Sequence, residues 1–365
     1  MELLLMIIKG LELGDLAALL RTCQRMRTLI ENCLYADIDT RVFNKPDGYF
    51  MIWRLRGLFR TLKARPDLAR SVLSLRGDIC PWDGNDYRER RRLNYTGGKT
   101  GVLPRLWELW GNWKEEQGDI ALEEIIVTGF NNMENLRFLE INDDRRSPRL
   151  WTSLLLLKKS RLPSLTSLKF CSTCKASFAE VVSIIGTLPH LEHLELPTYY
   201  LKDRGPRRDD WAPLSTDFPR LKSLVGPLQE IRKIVPGRRI TSLVLFHGNE
   251  RQFDPAIWRD LGCSKGPLTR ITILLDGHSG PPVTAHLTSV TYNLKHLESL
   301  TVESILLYTS YNDVAAGLAP CTQLRHLSIH VGYPSDFPEH DVWDNLTLAC
   351  PTLERLHVSR RISGF

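Results

Sequence analysis

One apolar pattern recurs along most of this 365-residue chain and limits the folds open to it. The pattern is a leucine, two other residues, a second leucine, one further residue and a third apolar residue, where Ile, Val or Phe can replace leucine. Its copies are Leu136-Leu139-Ile141, Leu165-Leu168-Phe170, Leu191-Leu194-Leu196, Leu221-Leu224, Ile240-Leu243-Leu245, Leu268-Ile271-Ile273, Leu297-Leu300-Val302, Leu324-Leu327-Ile329 and Leu353-Leu356-Val358. Successive first positions lie 29, 26, 30, 19, 28, 29, 27 and 29 residues apart. This period predicts an array of stacked units rather than one mixed core.

Each copy predicts a short strand that is followed by a helix. The last two apolar residues are two positions apart, so they lie on one face of a strand while their neighbours lie on the other face. Helical spacing follows between the copies, as in Val283-Leu287-Val290. Such a unit resembles a leucine-rich repeat, which implies an α/β fold: a curved solenoid with a concave parallel β-sheet. The Asn or Cys that many such repeats carry in the turn is missing here, so we expect irregular repeats, most of all around the 19-residue interval.

Composition excludes several classes of protein. Charged residues make up 25% of the chain and apolar residues 42%, which is the usage of a globular protein. The net charge of +6 is accounted for by the segment 54–92, in which Lys and Arg outnumber Asp and Glu by that amount. The rest of the chain has equal numbers of basic and acidic side chains, so we do not expect nucleic acid as a partner. Eight cysteines are too few for a disulfide scaffold. Neither a signal peptide nor a membrane span is evident, so we expect no membrane partner and a cytoplasmic or nuclear location.

The first forty residues predict a different structure, namely three short helices. Leu4, Ile7 and Leu11 form a helical stripe, Asp15 can cap a second helix, and Thr22 can cap a third that runs to about Leu34. Helices this short must pack on one another to be stable in water. We therefore divide the chain into a helical module at 1–40, a helical linker with irregular first repeats and a basic loop (84–101) at 41–130, and a solenoid at 131–365.

The helical module resembles the F-box, which docks substrate receptors onto a Skp-type adaptor and a cullin ubiquitin ligase. The residues that match the F-box pattern are Glu2, Leu3, Leu4, Ile7, Leu11, Asp15, Leu16, Thr22, Cys23 and Arg25. The later segment 62–69 is similar to fungal F-box proteins that carry leucine-rich repeats. The resemblance implies a substrate-recognition subunit that contacts the adaptor and the cullin scaffold. Leu4, Ile7, Leu11, Leu16 and Cys23 would make the adaptor contact, although each could equally serve to pack the three helices together.

The module departs from the family pattern at its start. Met1 stands where the family has proline, so the usual entry to the first helix is missing. The alternative function is therefore a non-catalytic interaction scaffold with a degenerate F-box and no association with a ligase.

Motifs for catalysis or cofactor binding are incomplete. Gly97-Gly98-Lys99-Thr100 lacks the earlier glycine of a phosphate loop, since Leu93 occupies that position. Cys171 and Cys174 have the spacing of half a zinc site, and no second pair follows at the required distance. We therefore expect no enzyme activity, no cofactor and no metal.

Outward strand positions provide candidate partner contacts. The residues that should project from the concave face and bind a target protein are Glu140, Lys169, His193, Glu195, Arg270, His326, Arg355 and His357, with Phe246 placed just past its strand. His296 is expected to project from the same face. Equivalent positions on neighbouring strands lie about 4.8 Å apart, so these side chains should form one continuous panel. A mixed panel with few aromatic residues fits a protein or peptide better than an enclosed small molecule.

Overall fold

The computed structural model divides the chain into two compact units, Met1–Leu165 and Thr166–Phe365. The residues that the structure describes are 24–40, 49–77, 115–141, 156–170, 178–197, 218–247, 254, 256–275, 283–304, 311–331, 344 and 346–360. The predicted boundaries at 40/41 and 130/131 stay predictions.

Within its described ranges the first unit has a helical segment at 156–159 and, before it, four helices and three parallel strands. In chain order these are α1 (Gln24–Ala36), β1 (Asp37–Asp39), α2 (Tyr49–Ala64), α3 (Pro66–Ser71), β2 (Ser74–Gly77), α4 (Glu115–Asn132) and β3 (Phe138–Ile141). Strand β2 pairs with β1 on one side and with β3 on the other. Helix α1 covers most of the third helix that the sequence predicts, and it ends two residues later than expected.

An ion-pair network fixes α1 beside α3. The Glu31 carboxylate accepts a hydrogen bond from Arg27 at 2.9 Å and another from Arg65 at 3.3 Å. Arg65 also donates to Asp67 at 2.7 Å, while the Ser71 hydroxyl donates to Asn32 at 2.9 Å. The hydrogen bond from Arg27 is the main reason why the pKa of Glu31 lies below its ordinary value.

The second unit is a parallel ladder in which every strand pairs with the next one along the chain. Its elements are β4 (Ser167–Phe170), α5 (Phe178–Ile185), β5 (His193–Glu195), β6 (Ser223–Pro227), α6 (Leu228–Ile234), β7 (Ser242–His247), α7 (Ala256–Gly262), β8 (Arg270–Leu275), α8 (Val283–Asn293), β9 (Ser299–Ser304), α9 (Tyr311–Leu318), β10 (His326–Val331) and β11 (Arg355–Arg360). The order in the ladder is β4-β5-β6-β7-β8-β9-β10-β11. The predicted α/β class and parallel sheet are therefore confirmed.

Burial of the repeated apolar residues holds the ladder together. The second leucines of neighbouring copies lie side by side, as Leu224, Leu243 and Ile271 do, and all three are at most 2% exposed. Helical residues such as Ile231 and Val290 are fully buried as well. Burying one such side chain contributes about 1.5–3 kcal/mol, so each repeat depends on its neighbours for stability.

Backbone hydrogen bonds link neighbouring repeats where each strand begins. One backbone carbonyl oxygen in a repeat accepts hydrogen bonds from two backbone N–H groups of the following repeat, at the start of that repeat's strand. Thr166 O accepts from the amides of Glu192 and His193 at 2.8 and 2.9 Å. Thr241 O accepts from Thr269 and Arg270 in the same way, at 3.0 and 3.1 Å. These bonds satisfy backbone polar groups at the point where each strand begins and tie that point to the preceding repeat.

The 19-residue interval is accommodated by a direct passage from strand to helix. Strand β6 ends at Pro227 and helix α6 begins at Leu228. Gly226 fills the third apolar position, and a Cβ atom there would lie 2.9 Å from Leu196 Cβ. The glycine therefore permits close approach of two strands, and the copy that looks weak in sequence keeps its place in the ladder.

Candidate partner-binding face

The side chains that alternate with the buried leucines on β4–β11 form what we call the outer face. Strand register arranges them in three rows. The first row is Ser167, His193, Ser223, Ser242, Arg270, Ser299, His326 and Arg355. The second row is Lys169, Glu195, Val225, Val244, Thr272, Thr301, Ser328 and His357. The third row is Pro227, Phe246, Leu274, Glu303, His330 and Ser359.

The candidate contact residues of the second unit all lie on this face. Those whose side chains are exposed are His193, Arg270, Arg355 and His357, and those that are half-buried are Lys169, Glu195, Phe246 and His326. Their role in binding stays a prediction.

Three details differ from the expectation. Phe246 lies inside β7 rather than past it, because the strand runs to His247. Glu140 occupies an outward position of β3 in the first unit, in register with Arg76, but it is only 7% exposed. His296 precedes the first leucine of its repeat, Leu297, and therefore lies before β9 and not on the outer face.

On the early strands of the outer face, and beside them, basic and acidic side chains pair with each other. Lys169 Nζ lies 3.2 Å from a Glu195 carboxylate oxygen. Beside the first row, Lys222 donates to Glu192 at 2.9 Å, and this hydrogen bond holds the pKa of Glu192 below its ordinary value. Exposed and partly exposed pairs of this kind contribute little to stability. Little net charge is left there to attract a partner.

The late strands carry basic groups that are not neutralised. Within the described ranges, neither Arg270 nor Arg355 has a carboxylate within ion-pair distance. His326 stands between them in the first row, in register with Arg355. Ser299 completes the row between Arg270 and His326. This part of the face therefore offers an unbroken line of hydrogen-bond donors.

Two histidine rings in contact with each other border that line. His330 Nε2 lies 2.9 Å from the Ser328 hydroxyl, and its Nδ1 contacts the hydroxyl of Ser359. The ring of His357 is tilted against that of His330, with their centroids 5.5 Å apart. These contacts hold the imidazoles in fixed orientations on β10 and β11.

An open groove of about 540 Å³ runs over β9, β10 and β11. Its polar lining comes from Ser299, Thr301, His326, Ser328, Glu354, Arg355 and His357. The hydroxyls and imidazoles among them can donate a hydrogen bond while neutral, and Arg355 is always charged. A groove that is open to solvent suits a side chain of a larger partner rather than an enclosed metabolite.

An apolar strip lies beside the groove. Pro227, Phe246 and Leu274 follow one another in the third row, and Val225 and Val244 flank them in the second row. The sequence pattern does not identify Pro227 or Leu274, because it predicts shorter strands. The signal that could have found them is the alternation that continues past the third apolar position, as in the outward Leu274 that follows buried Ile273.

The predicted adaptor contacts lie outside the described residues. These are Leu4, Ile7, Leu11, Leu16 and Cys23, and the same holds for the basic loop at 84–101 and for Cys171 and Cys174. Among the residues that the structure describes, no group of three or more His, Cys, Asp or Glu side chains could hold a metal ion. In those ranges no helix has the length and apolar character needed to cross a membrane.

Comparisons with solved structures give several matches, among them a leucine-rich-repeat protein. No family model matches the chain, and no curated protein matches it. A solved structure of the leucine-rich repeat-containing protein LegL7 from Legionella pneumophila matches with 14% identity and a TM-score of 0.40, covering 66% of this chain and 79% of that chain. A likeness at this score does not define the fold, so the description of the chain as a parallel, repeat-based α/β protein rests on its own strand register and burial.

Proposed function

We propose that this protein is a non-catalytic receptor that binds another protein through the outer face. The observation that carries the proposal is the register of outward side chains in rows, two of which span all eight parallel strands and the third of which spans six. A surface of this kind can hold an extended partner, because neighbouring side chains recur about every 4.8 Å. The groove on β9–β11 is open rather than enclosed, which favours a macromolecular ligand.

We further propose that residues 1–40 dock a Skp-type adaptor, so that the bound protein becomes the substrate of a cullin ubiquitin ligase in the cytoplasm or nucleus. Support comes from the match of Glu2, Leu4, Ile7, Asp15 and Cys23 to the F-box pattern. Helix α1, where the pattern predicts its third helix, is consistent with that match. The rival function is an interaction scaffold without a ligase, for which the outer face alone would suffice.

Proximity labelling in cells with the full chain tests both parts of the proposal. One variant combines Arg270→Gln, His326→Gln and Arg355→Gln on the outer face. A second combines Leu4→Ala and Ile7→Ala in the helical module. The matched control combines Arg239→Gln, Arg259→Gln and His296→Gln, which removes the same residue types from exposed positions off the outer face.

We expect the outer-face variant to lose the substrate-class partners by at least about tenfold while adaptor labelling persists. The helical-module variant should lose adaptor and cullin labelling and keep the other partners. The control should label all of them like the wild type. Unchanged labelling by the outer-face variant contradicts receptor function, whereas no adaptor labelling by the wild type supports the scaffold.

A further inference from the structure

The apolar strip and the adjoining basic groove together indicate what kind of segment the outer face recognises. We propose that it binds a peptide segment in which an apolar side chain is followed by carboxylate side chains. The apolar residue packs on Phe246 and Leu274, and the carboxylates bind along Arg270, His326 and Arg355. The inference rests on the proposed receptor function and adds the chemistry of the ligand.

Charge complementarity carries the acidic half of the proposal. Arg270 and Arg355 lie three strands apart, which is about 14 Å at the spacing of a β-sheet. Neither guanidinium has a carboxylate partner in the described ranges. An arginine in this situation gains most from a ligand that supplies two oxygens in one plane, as a carboxylate does. Two such sites fit two acidic side chains of one extended segment.

The hydroxyl groups between the arginines strengthen this preference. Ser299, Thr301 and Ser328 line the groove together with His326. Each of these groups can donate a hydrogen bond to an anionic oxygen. A basic segment would instead be repelled by both guanidinium groups.

Three carboxylates limit how much negative charge the face can accept. Glu303 lies in the third row between Leu274 and His330, while Glu298 and Glu354 lie beside the first row. Arg325 lies 3.6 Å from a Glu354 carboxylate oxygen and partly neutralises it. Glu303 and Glu298 therefore contribute most of the repulsion that the continuous charge of a nucleic acid backbone would meet. A peptide avoids much of this repulsion, because its separate carboxylate side chains can contact first-row residues alone. A peptide is therefore favoured over single-stranded nucleic acid. Nucleic acid bases stack on aromatic side chains, and Phe246 is the one aromatic residue of the three rows apart from the histidines.

The apolar half follows from the position of Phe246. This side chain is only partly buried, with Pro227 on one side of it in the ladder and Leu274 on the other. An aromatic anchor with aliphatic neighbours provides the apolar contact that protein interfaces use at their centres. Because β8 carries both Leu274 and Arg270, one short segment can reach both parts of the surface.

A peptide selection on the purified full chain tests the inference. A random dodecapeptide display library is selected against the wild type and depleted against the variant Arg270→Gln/His326→Gln/Arg355→Gln. The enriched consensus peptide is then synthesised, together with a form in which every Asp and Glu is replaced by Asn and Gln. Fluorescence anisotropy gives the Kd of each peptide for the wild type, for Phe246→Ala and for the control Arg239→Gln/Arg259→Gln/His296→Gln.

The inference predicts a consensus with acidic residues next to an apolar one. The amide form should bind at least about tenfold more weakly, as should the acidic peptide to the triple variant and to Phe246→Ala, while the control stays within about twofold of the wild type. Raising the salt concentration from 50 to 500 mM should weaken the acidic peptide more than its amide form.

Other outcomes overturn the inference. A neutral or basic consensus, equal binding of the two peptide forms, or tighter binding of a single-stranded oligonucleotide would each do so. So would the absence of any enriched peptide. Receptor function has its own readout in proximity labelling, so it can survive a wrong ligand chemistry and can fail independently of it.

Discussion

The two cysteines of the last repeats are buried packing residues, and Cys350 Sγ also donates a hydrogen bond to Leu318 O at 3.3 Å. Cys321 and Cys350 each lie three positions before the first leucine of a repeat, where other repeats have Leu294 or Phe218. Both are 1% exposed, and the amide of Leu353 donates to Cys350 O at 3.0 Å. Burial raises the pKa of Cys350, and burial together with the nearby Cys350 raises the pKa of Cys321 to about 12. A thiol with such a pKa is almost entirely protonated at neutral pH.

We therefore predict that Cys321 and Cys350 resist alkylation in the folded protein. At pH 8 only about one in ten thousand Cys321 thiols would be ionised, and the thiolate is the reactive form. Exposed Cys263 is the internal reference. Mass spectrometry after a timed iodoacetamide reaction should show Cys263 modified at least about tenfold faster than either buried thiol, with the difference abolished in 8 M urea. Equal rates in the folded protein would contradict the burial of the two thiols.

Helix packing in the first unit depends on one small residue. Gly129 lies in α4 next to Phe59 of α2, whose ring is fully buried and lies 5.4 Å from the Phe130 ring. A Cβ atom at position 129 would come within 2.6 Å of the Phe59 ring. A ring held between two helices cannot move aside cheaply, so the close approach of α2 and α4 requires glycine here.

We predict that Gly129→Ala destabilises the protein although alanine favours helices. The gain of about 1 kcal/mol in helix propensity should be outweighed by overpacking, for a net cost of about 1–2 kcal/mol. Gly57 is the matched control, since it lies in α2, is exposed and would have no atom within 4 Å of an added Cβ. Gly57→Ala should raise the free energy of unfolding by about 0.5–1 kcal/mol. Urea denaturation monitored by circular dichroism shows whether each substitution raises or lowers the free energy of unfolding. A stabilising Gly129→Ala would show that the Phe59 ring moves aside freely.

The sequence predicts the strands well because their apolar residues alternate with a fixed period. The second and third apolar positions of the copies from Leu139 onward fall in strands, with Leu196 just after β5 as the exception. Strand length is predicted less well. Phe246 and Leu274 extend β7 and β8 beyond the third position, because pairing with neighbouring strands continues there irrespective of the local pattern. The burial of Glu140 is likewise a tertiary effect that alternation within β3 does not reveal.

The candidate site could be predicted only in part. Register places Arg270, His326 and Arg355 in one row, as the phase of the repeats implies. The neutralisation of Lys169 by Glu195 and the contacts of His330 depend on which residues neighbouring strands bring together. The strand positions of these residues follow the same repeat phase, but the apolar pattern does not specify which side chains bond to each other.

At the scale of the whole molecule, the second unit behaves as a one-dimensional array in which each repeat is stabilised by the repeats on either side. Strand β9 has β8 and β10 as neighbours. Strand β11 pairs with β10, and no other strand pairs with it in the part of the chain that the structure describes. The same residue type in the same repeat position should therefore make different contributions to the free energy of unfolding in the middle of the ladder and at its end.

Val302 and Val358 provide that comparison, since both occupy the third apolar position and are separated in the ladder only by Ile329. Val302 is 2% exposed and Val358 is 39% exposed. Val302→Ala should lower the free energy of unfolding by about 1.5–2.5 kcal/mol, since it removes two buried methyl groups and leaves a cavity. Val358→Ala should cost less than about 1 kcal/mol, because solvent already reaches that side chain. Urea denaturation of both variants measures the difference, and equal costs would show that β11 is covered as fully as β9 in solution.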